Sequence, residues 1–178
     1  MLLDEAWTQL RERGYGAFMI DAVARAAGTS RAVVYRRWPN KASLIHAAIR
    51  AHAGTVLDEI PDTGSLALDL RTVLKTLAAR MDRIGADTMT GLLSDLDELP
   101  PDVAGSVRGV VEQLLAQARS RGEISGAPIP EAVCTAPTDL LRYHMLAERA
   151  LPSDEAIDAI VDQVFLPLVG HYAPPARR

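Results

Sequence analysis

The chain has 178 residues, enough for one compact unit or two small ones. Its 48% hydrophobic and 24% charged content excludes general disorder, and its single cysteine, Cys134, excludes a disulfide framework or a multi-cysteine zinc site. The net charge of −4 hides a split: residues 1–50 carry eight Lys/Arg against four Asp/Glu, and the remainder eleven against nineteen. No apolar run approaches the ~18 residues of a membrane span. Asp4 and Glu5 stand where a signal peptide would be basic. A cytoplasmic chain with no membrane partner is therefore expected.

Apolar residues recur at helical spacing and strand alternation is missing, so an all-α fold is expected. In chain order the pattern predicts about nine helices, over 2–13, 20–27, 31–37, 41–59, 65–82, 85–97, 102–121, 130–149 and 153–171. One apolar stripe runs through Leu66, Leu70, Val73, Leu74, Leu77, Ala78 and Met81. A second runs through Val107, Val110, Val111, Leu114, Leu115 and Ala118. A third runs through Ile157, Ile160, Val161, Val164, Phe165 and Leu168. Pro61 to Gly64, Pro100-Pro101 and Pro152 separate these runs. Pro137 and Pro167 lie inside predicted helices and are expected to kink them.

The segment around Gly28-Thr29-Ser30 carries the functional signal. The helix before it is expected to bury Ala22, Val23, Ala26 and Ala27. Gly28 suits the left-handed residue that ends a helix, and Thr29 or Ser30 can cap the next. That next helix should turn Val33, Val34 and Trp38 to the core and leave Arg31, Ala32, Tyr35 and Arg36 outside. The result is the sequence form of a helix-turn-helix. No acidic residue occurs between Asp21 and Asp58, an interval that holds Arg25, Arg31, Arg36, Arg37, Lys41 and Arg50. An arginine near the helix start can bond a guanine edge, Tyr35 can reach a phosphate, and Lys41 at a new helix N-terminus suits another. The pattern alone is equally open to a small helical hairpin with solvated arginines. Five of the eight aromatics fall by position 38, and Trp7, Tyr15, Phe18 and Trp38 read as core rings of a small domain.

Gly14-Tyr15, then Ile20-Asp21-Ala22-Val23-Ala24, Ala27-Gly28-Thr29-Ser30, and Val34-Tyr35-Arg36-Arg37-Trp38-Pro39-Asn40-Lys41 occur in an order and spacing that resemble the tetracycline-repressor (TetR) family. The likeness covers roughly residues 3–50 and beyond them is one of architecture. It implies an N-terminal helix-turn-helix domain over 1–50 that binds double-stranded operator DNA. It implies a helical ligand-binding and dimerisation domain over 51–178, hence a homodimeric repressor released by a small-molecule effector. Carried over by position, Arg31, Ala32 and Arg36 face bases. Ser30, Tyr35, Arg37 and Lys41 face phosphates, and Thr29 lies in the turn. Met19 departs from the threonine that commonly caps the second helix. The chain also begins almost at its first helix, without the basic arm many members carry, so the expectation is a truncated start or a modest DNA affinity.

For the effector, an apolar pocket is expected among residues 65–149. Its lining is taken as Met81, Met89, Leu92, Leu93, Val110 and Leu114, with Arg142, Tyr143 and His144 as polar groups that orient a ligand. Each apolar member also reads as ordinary core. The last two helices are expected to pair with their copies as a four-helix bundle. No catalytic site, cofactor or metal is expected. His46, His52, His144 and His171 show no i, i+4 pair, and neither phosphate-loop nor nucleophile-elbow motifs occur. Asp95, Asp97 and Glu98 read as a solvated helix end, and Cys134 as a small core residue. Two other classes stay open: an all-helical enzyme, which nothing in the chain favours, and a helical protein–protein adaptor with a degenerate DNA-binding domain.

Overall fold

The computed structural model describes residues 1–53, 60–95, 101–148 and 150–175, except the side chains of 101–108. The described residues form helices and turns and no strand, an all-α fold. The chain divides into two compact units, Met1–Thr55 with Arg83–Leu99, and Val56–Asp82 with Pro100–Arg178.

The first unit holds α1 (Leu2–Arg13), α2 (Ile20–Ala26), α3 (Arg31–Arg37), α4 (Lys41–Ala53) and α6 (Ala86–Asp95). α1 packs on α4 and α2, α2 on α3, and α4 on α6. Their core gathers Ala6, Leu10, Tyr15, Phe18, Ile20, Val23, Val34, Leu44, Ile45 and Ile49, with Leu92 of α6 joining it. The sequence expectation for α2 and α3 needs two corrections. Ala26 is exposed, and Ala24 takes the inward position instead. Val33 is 37% exposed, so Val34 is the only fully buried residue of α3. A seven-residue helix has barely two turns, and packing from neighbouring helices selects which of two adjacent residues faces in. Trp38 is half-buried against the same core.

The second unit holds most of α5 (Leu66–Ile84), then α7 (Pro101–Ser120), α8 (Glu131–Glu148), α9 (Asp154–Asp158), a π-helical stretch (Ala159–Phe165) and α10 (Leu166–Tyr172). The α5 stripe from Leu66 to Ala78 is buried as its spacing predicts, and it meets Val110, Val111, Leu114 and Leu115 of α7 in one core. Val107 lies outside the described side chains. The predicted ends at 54–59 and 96–97, and Arg149, lie outside the described residues. Cys134 is buried in this core.

The last predicted helix is not a uniform α-helix. The Leu166 amide reaches back five residues to the Val161 carbonyl. The π stretch lies just before Pro167, which has no amide proton to continue an α-helical ladder. Its wider turn moves the inward face on by one residue. Val169 is buried in place of Leu168, which is 37% exposed, and Val164 is half-buried. Pro137, by contrast, sits buried within a continuous α8.

Polar locks close the second unit. Arg71 of α5 bonds Asp158 at 2.6 Å and also Asp162. The Glu123 carboxylate caps α5 by accepting the Leu66 amide at 2.9 Å. Arg121 meets Glu123 at 3.1 Å and the fully buried Asp69 at 3.2 Å, and Asp69 accepts the Thr63 amide at 2.7 Å. The buried carboxylate is thus paired and hydrogen-bonded, as a buried charge must be.

Candidate nucleic-acid interface

The turn between α2 and α3 is built by local chemistry. Gly28 has a φ of +64°, a left-handed conformation that costs glycine little. With it in place, the Thr29 amide bonds the Ala24 carbonyl at 2.9 Å and the Gly28 amide bonds the Arg25 carbonyl at 3.2 Å. This pair of bonds is a Schellman closure of α2. Ser30 then caps α3, its hydroxyl accepting the Val33 amide at 3.3 Å. A second local cap starts α4. The Asn40 side chain accepts the Ser43 amide at 2.8 Å, and the Ser43 hydroxyl accepts the Asn40 amide at 3.3 Å. Two capped helix starts therefore bracket α3.

This bracketing presents the expected residues outward. Ser30, Arg31, Ala32, Tyr35, Arg36 and Arg37 are exposed, Thr29 is half-buried in the turn, and Lys41 is half-buried at the start of α4. Cations lie over rings along the face: Arg31 over Tyr35 at 5.9 Å, Arg37 over Trp38 at 5.0 Å, and Lys41 over Tyr15 at 4.0 Å. Each contact restrains a long side chain that would otherwise lose more freedom on binding. Met19 holds the N-cap of α2 without a side-chain bond and is 60% exposed. Its own amide is taken by the buried Gln9 side chain at 3.0 Å.

Three participants were not singled out as part of this site from sequence. Asp21 lies 2.7 Å from the Arg31 Nε and ties α2 to α3. Asp95, read as a solvated helix end, accepts a hydrogen bond from the Tyr15 hydroxyl at 2.7 Å. Gly91 packs against the Tyr15 ring so closely that a β-carbon there would lie 2.2 Å from it. A glycine inside a predicted helix is the one signal that could have marked this approach.

The residues expected to line an effector pocket are divided between the two units. Met89 and Leu92 belong to the core of the first unit, and the half-buried Leu93 follows on α6. Met81, Val110 and Leu114 belong to the core of the second, the last two fully buried. Tyr143, expected as one of the polar groups that orient a ligand, is 69% exposed. Arg142 pairs with Asp139 at 2.8 Å and His144 with Glu148 at 3.2 Å, each within α8. His52 stacks on Trp7 at 5.5 Å and meets Asp4 at 3.2 Å, and His171 stands edge-on to Tyr172. Among the described residues no helix is long and apolar enough to cross a membrane.

A capped helix-turn-helix with a basic outer face on an all-helical chain defines a DNA-binding regulator class. Comparison with known proteins agrees. Residues 2–48 match the family described as bacterial regulatory proteins, tetR family, and residues 60–164 match the tetracyclin repressor-like C-terminal domain. An uncharacterized HTH-type transcriptional regulator of Mycobacterium tuberculosis is 32% identical over 165 residues, covering 89% of this chain and 81% of that protein. The DNA-binding transcriptional repressor TetR of Mycobacteroides abscessus is 30% identical over 175 residues, covering 94% of this chain and 92% of that protein. A crystallised tetR-family transcriptional regulator from Streptomyces coelicolor shares the fold with a TM-score of 0.65 at 23% identity, covering 96% of this chain and 81% of that one. The chain belongs to the TetR family of helix-turn-helix transcriptional regulators.

Proposed function

We propose that the chain is a cytoplasmic, homodimeric repressor that binds a near-palindromic operator and leaves it when a small, largely apolar effector binds. The observation that carries the reading is the outward face of α3. In this reading the exposed Arg31, Ala32 and Arg36 meet base edges, and Ser30, Tyr35, Arg37 and Lys41 meet phosphates, with Thr29 in the turn. Two copies of α3 must enter successive major grooves, about 34–36 Å apart. A ligand that prefers a conformer with another spacing shifts the population off DNA. The effector belongs to the second unit in this reading, with Met81 adaptable and half-buried and with Arg142 and His144 offering polar groups. The expected division is a DNA-binding domain over 1–50 and an effector and dimerisation domain over 51–178.

Selection of bound fragments from a sheared genomic library tests the first half. Enrichment of fragments that share an inverted repeat supports the repressor. Recovery of no fragment above background removes it in favour of the helical adaptor. A thermal-shift screen followed by DNA competition with each hit tests the second half. Stabilising hits that release the enriched fragment support the switch. Stabilising hits that leave DNA affinity unchanged remove it. Turnover of any hit would place the chain with the helical enzymes instead.

A further inference from the structure

We infer that Tyr15 is a positioning residue for DNA binding, its ring serving as the platform that holds the Lys41 ammonium ready for a phosphate. The inference rests on the DNA-binding reading of Lys41 and adds to it a residue buried behind the contact surface. Tyr15 follows the turn at the end of α1 and is 7% exposed, so it cannot itself serve as a surface contact. Its ring nonetheless has the Lys41 Nζ over it at 4.0 Å, closer than Arg37 stands to Trp38 at 5.0 Å. The face of a phenol ring carries negative charge density and attracts a cation. An ammonium has three donors, and seating it against a ring leaves donors pointing away from the ring. A lysine stem that is already ordered loses less freedom when a phosphate arrives.

The ring is itself fixed from behind by α6. Its hydroxyl donates to Asp95 at 2.7 Å, which pushes electron density into the ring and strengthens its hold on a cation. Gly91, one turn earlier on the same helix, provides the seat, since a β-carbon there would lie 2.2 to 2.6 Å from three ring carbons. Core packing alone would need neither an exposed carboxylate on the hydroxyl nor a cation on the face. The arrangement runs from Gly91 and Asp95 through Tyr15 to Lys41, and all four belong to the first unit.

The test uses the full chain and a mixed-sequence 30-base-pair duplex, with affinity measured across a series of salt concentrations. Lys41→Ala should lower affinity and reduce the salt slope by about one. Tyr15→Leu should reduce the slope in the same way, and the double variant should be no weaker than Lys41→Ala alone. Tyr15→Phe keeps the ring and should keep the slope. Asp95→Ala changes an exposed position without opening the core, so it supplies a variant that folds if Tyr15→Leu does not. Loss of its hydrogen bond, shared with Tyr15→Phe, should weaken the Lys41 contribution by less than the roughly two- to fivefold of a whole exposed cation–ring contact, and that change should vanish in the Lys41→Ala background. Equal effects of Tyr15→Leu or Asp95→Ala with and without Lys41 would overturn the inference while leaving the DNA-binding reading intact. A wild-type chain that binds no duplex would remove both. A normal wild-type slope unchanged by Lys41→Ala would remove the role of Lys41 and this inference with it.

Discussion

The Nε of Arg31 lies 2.7 Å from a carboxylate oxygen of Asp21, so the first residue of α3 is tied back to the first turn of α2. The Arg31 side chain is 66% exposed, and an ion pair that open to water contributes little to stability. Its consequence is orientation. The carboxylate lies beside Nε as an ion pair without accepting a hydrogen bond from it, and the terminal nitrogens of the guanidinium remain for two acceptors of a guanine edge. Arg31→Ala should cost roughly 1–3 kcal/mol on the preferred operator and relax base preference at one position. Asp21→Ala should lower discrimination between operator and mixed-sequence duplex while leaving mixed-sequence binding equal or stronger, because it also removes a negative charge. Competition titrations with both duplexes check this, and an unchanged discrimination ratio would exclude the orienting role.

Two glycines of the first unit should respond differently to alanine. At Gly28 an added β-carbon meets nothing within 4 Å, so the cost is the left-handed backbone alone, about 1–2 kcal/mol. Ser30→Ala removes the cap of the next helix and should cost ~0.5–2 kcal/mol. At Gly91 the backbone is ordinary and the cost is displacement of the Tyr15 ring. Urea unfolding should therefore show Gly28→Ala and Ser30→Ala destabilised with the tyrosine environment unchanged. Gly91→Ala should shift the Tyr15 ring signals in an NMR spectrum.

The contrast between these sites also explains what the sequence discloses. The helix, glycine turn and helix were legible because Gly28, Ser30, Asn40 and Ser43 act on neighbours a few residues away. The long stripes of α5 and α7 were legible because many turns average out single errors. Val33 and Ala26 were misplaced because short helices provide no such averaging, and packing chose the inward arc. The inward shift from Leu168 to Val169 follows a π turn, which breaks the 3.6-residue period on which the stripe was read. Tyr15 and Asp95 lie 80 residues apart, and Arg121 and Asp69 lie 52 apart. No local pattern announces such pairs.

The shifted register bears on assembly. Val164 is half-buried and Leu168 is 37% exposed, so the outer side of the π stretch and α10 keeps apolar residues that the unit's own core does not use. The expected dimer places α8 and the stretch from α9 to α10 against their copies. Val164→Asp would then bury an unpaired carboxylate at a cost of about 3–5 kcal/mol, weakening the dimer roughly a hundredfold or more. Sedimentation at micromolar concentration should show a wild-type dimer and a largely monomeric variant. A wild-type monomer would exclude the four-helix interface.

Alkaline pH offers a separate handle on Tyr15. Burial, and then the hydrogen bond and charge of Asp95, raise its phenol well above the ordinary value of 10.0. The folded chain thus holds this proton more tightly than the unfolded chain. The stability gained is fully present below pH 10 and is lost as pH rises above 10, where the unfolded phenol releases its proton first. Tyr15→Phe has no proton to lose. It should be less stable than wild type at neutral pH by the missing hydrogen bond, about 1.5–3 kcal/mol for a bond to a charged acceptor before solvent screening at the exposed carboxylate. The difference in melting temperature between the two should stay constant from pH 7 to pH 9 and shrink above pH 10. Every other ionisable group is common to both chains and cancels in the comparison. Asp95→Asn should give a smaller alkaline loss than wild type, because its amide accepts the same hydroxyl without the charge. A constant difference through pH 11 would mean that the Tyr15 proton is not held by the fold.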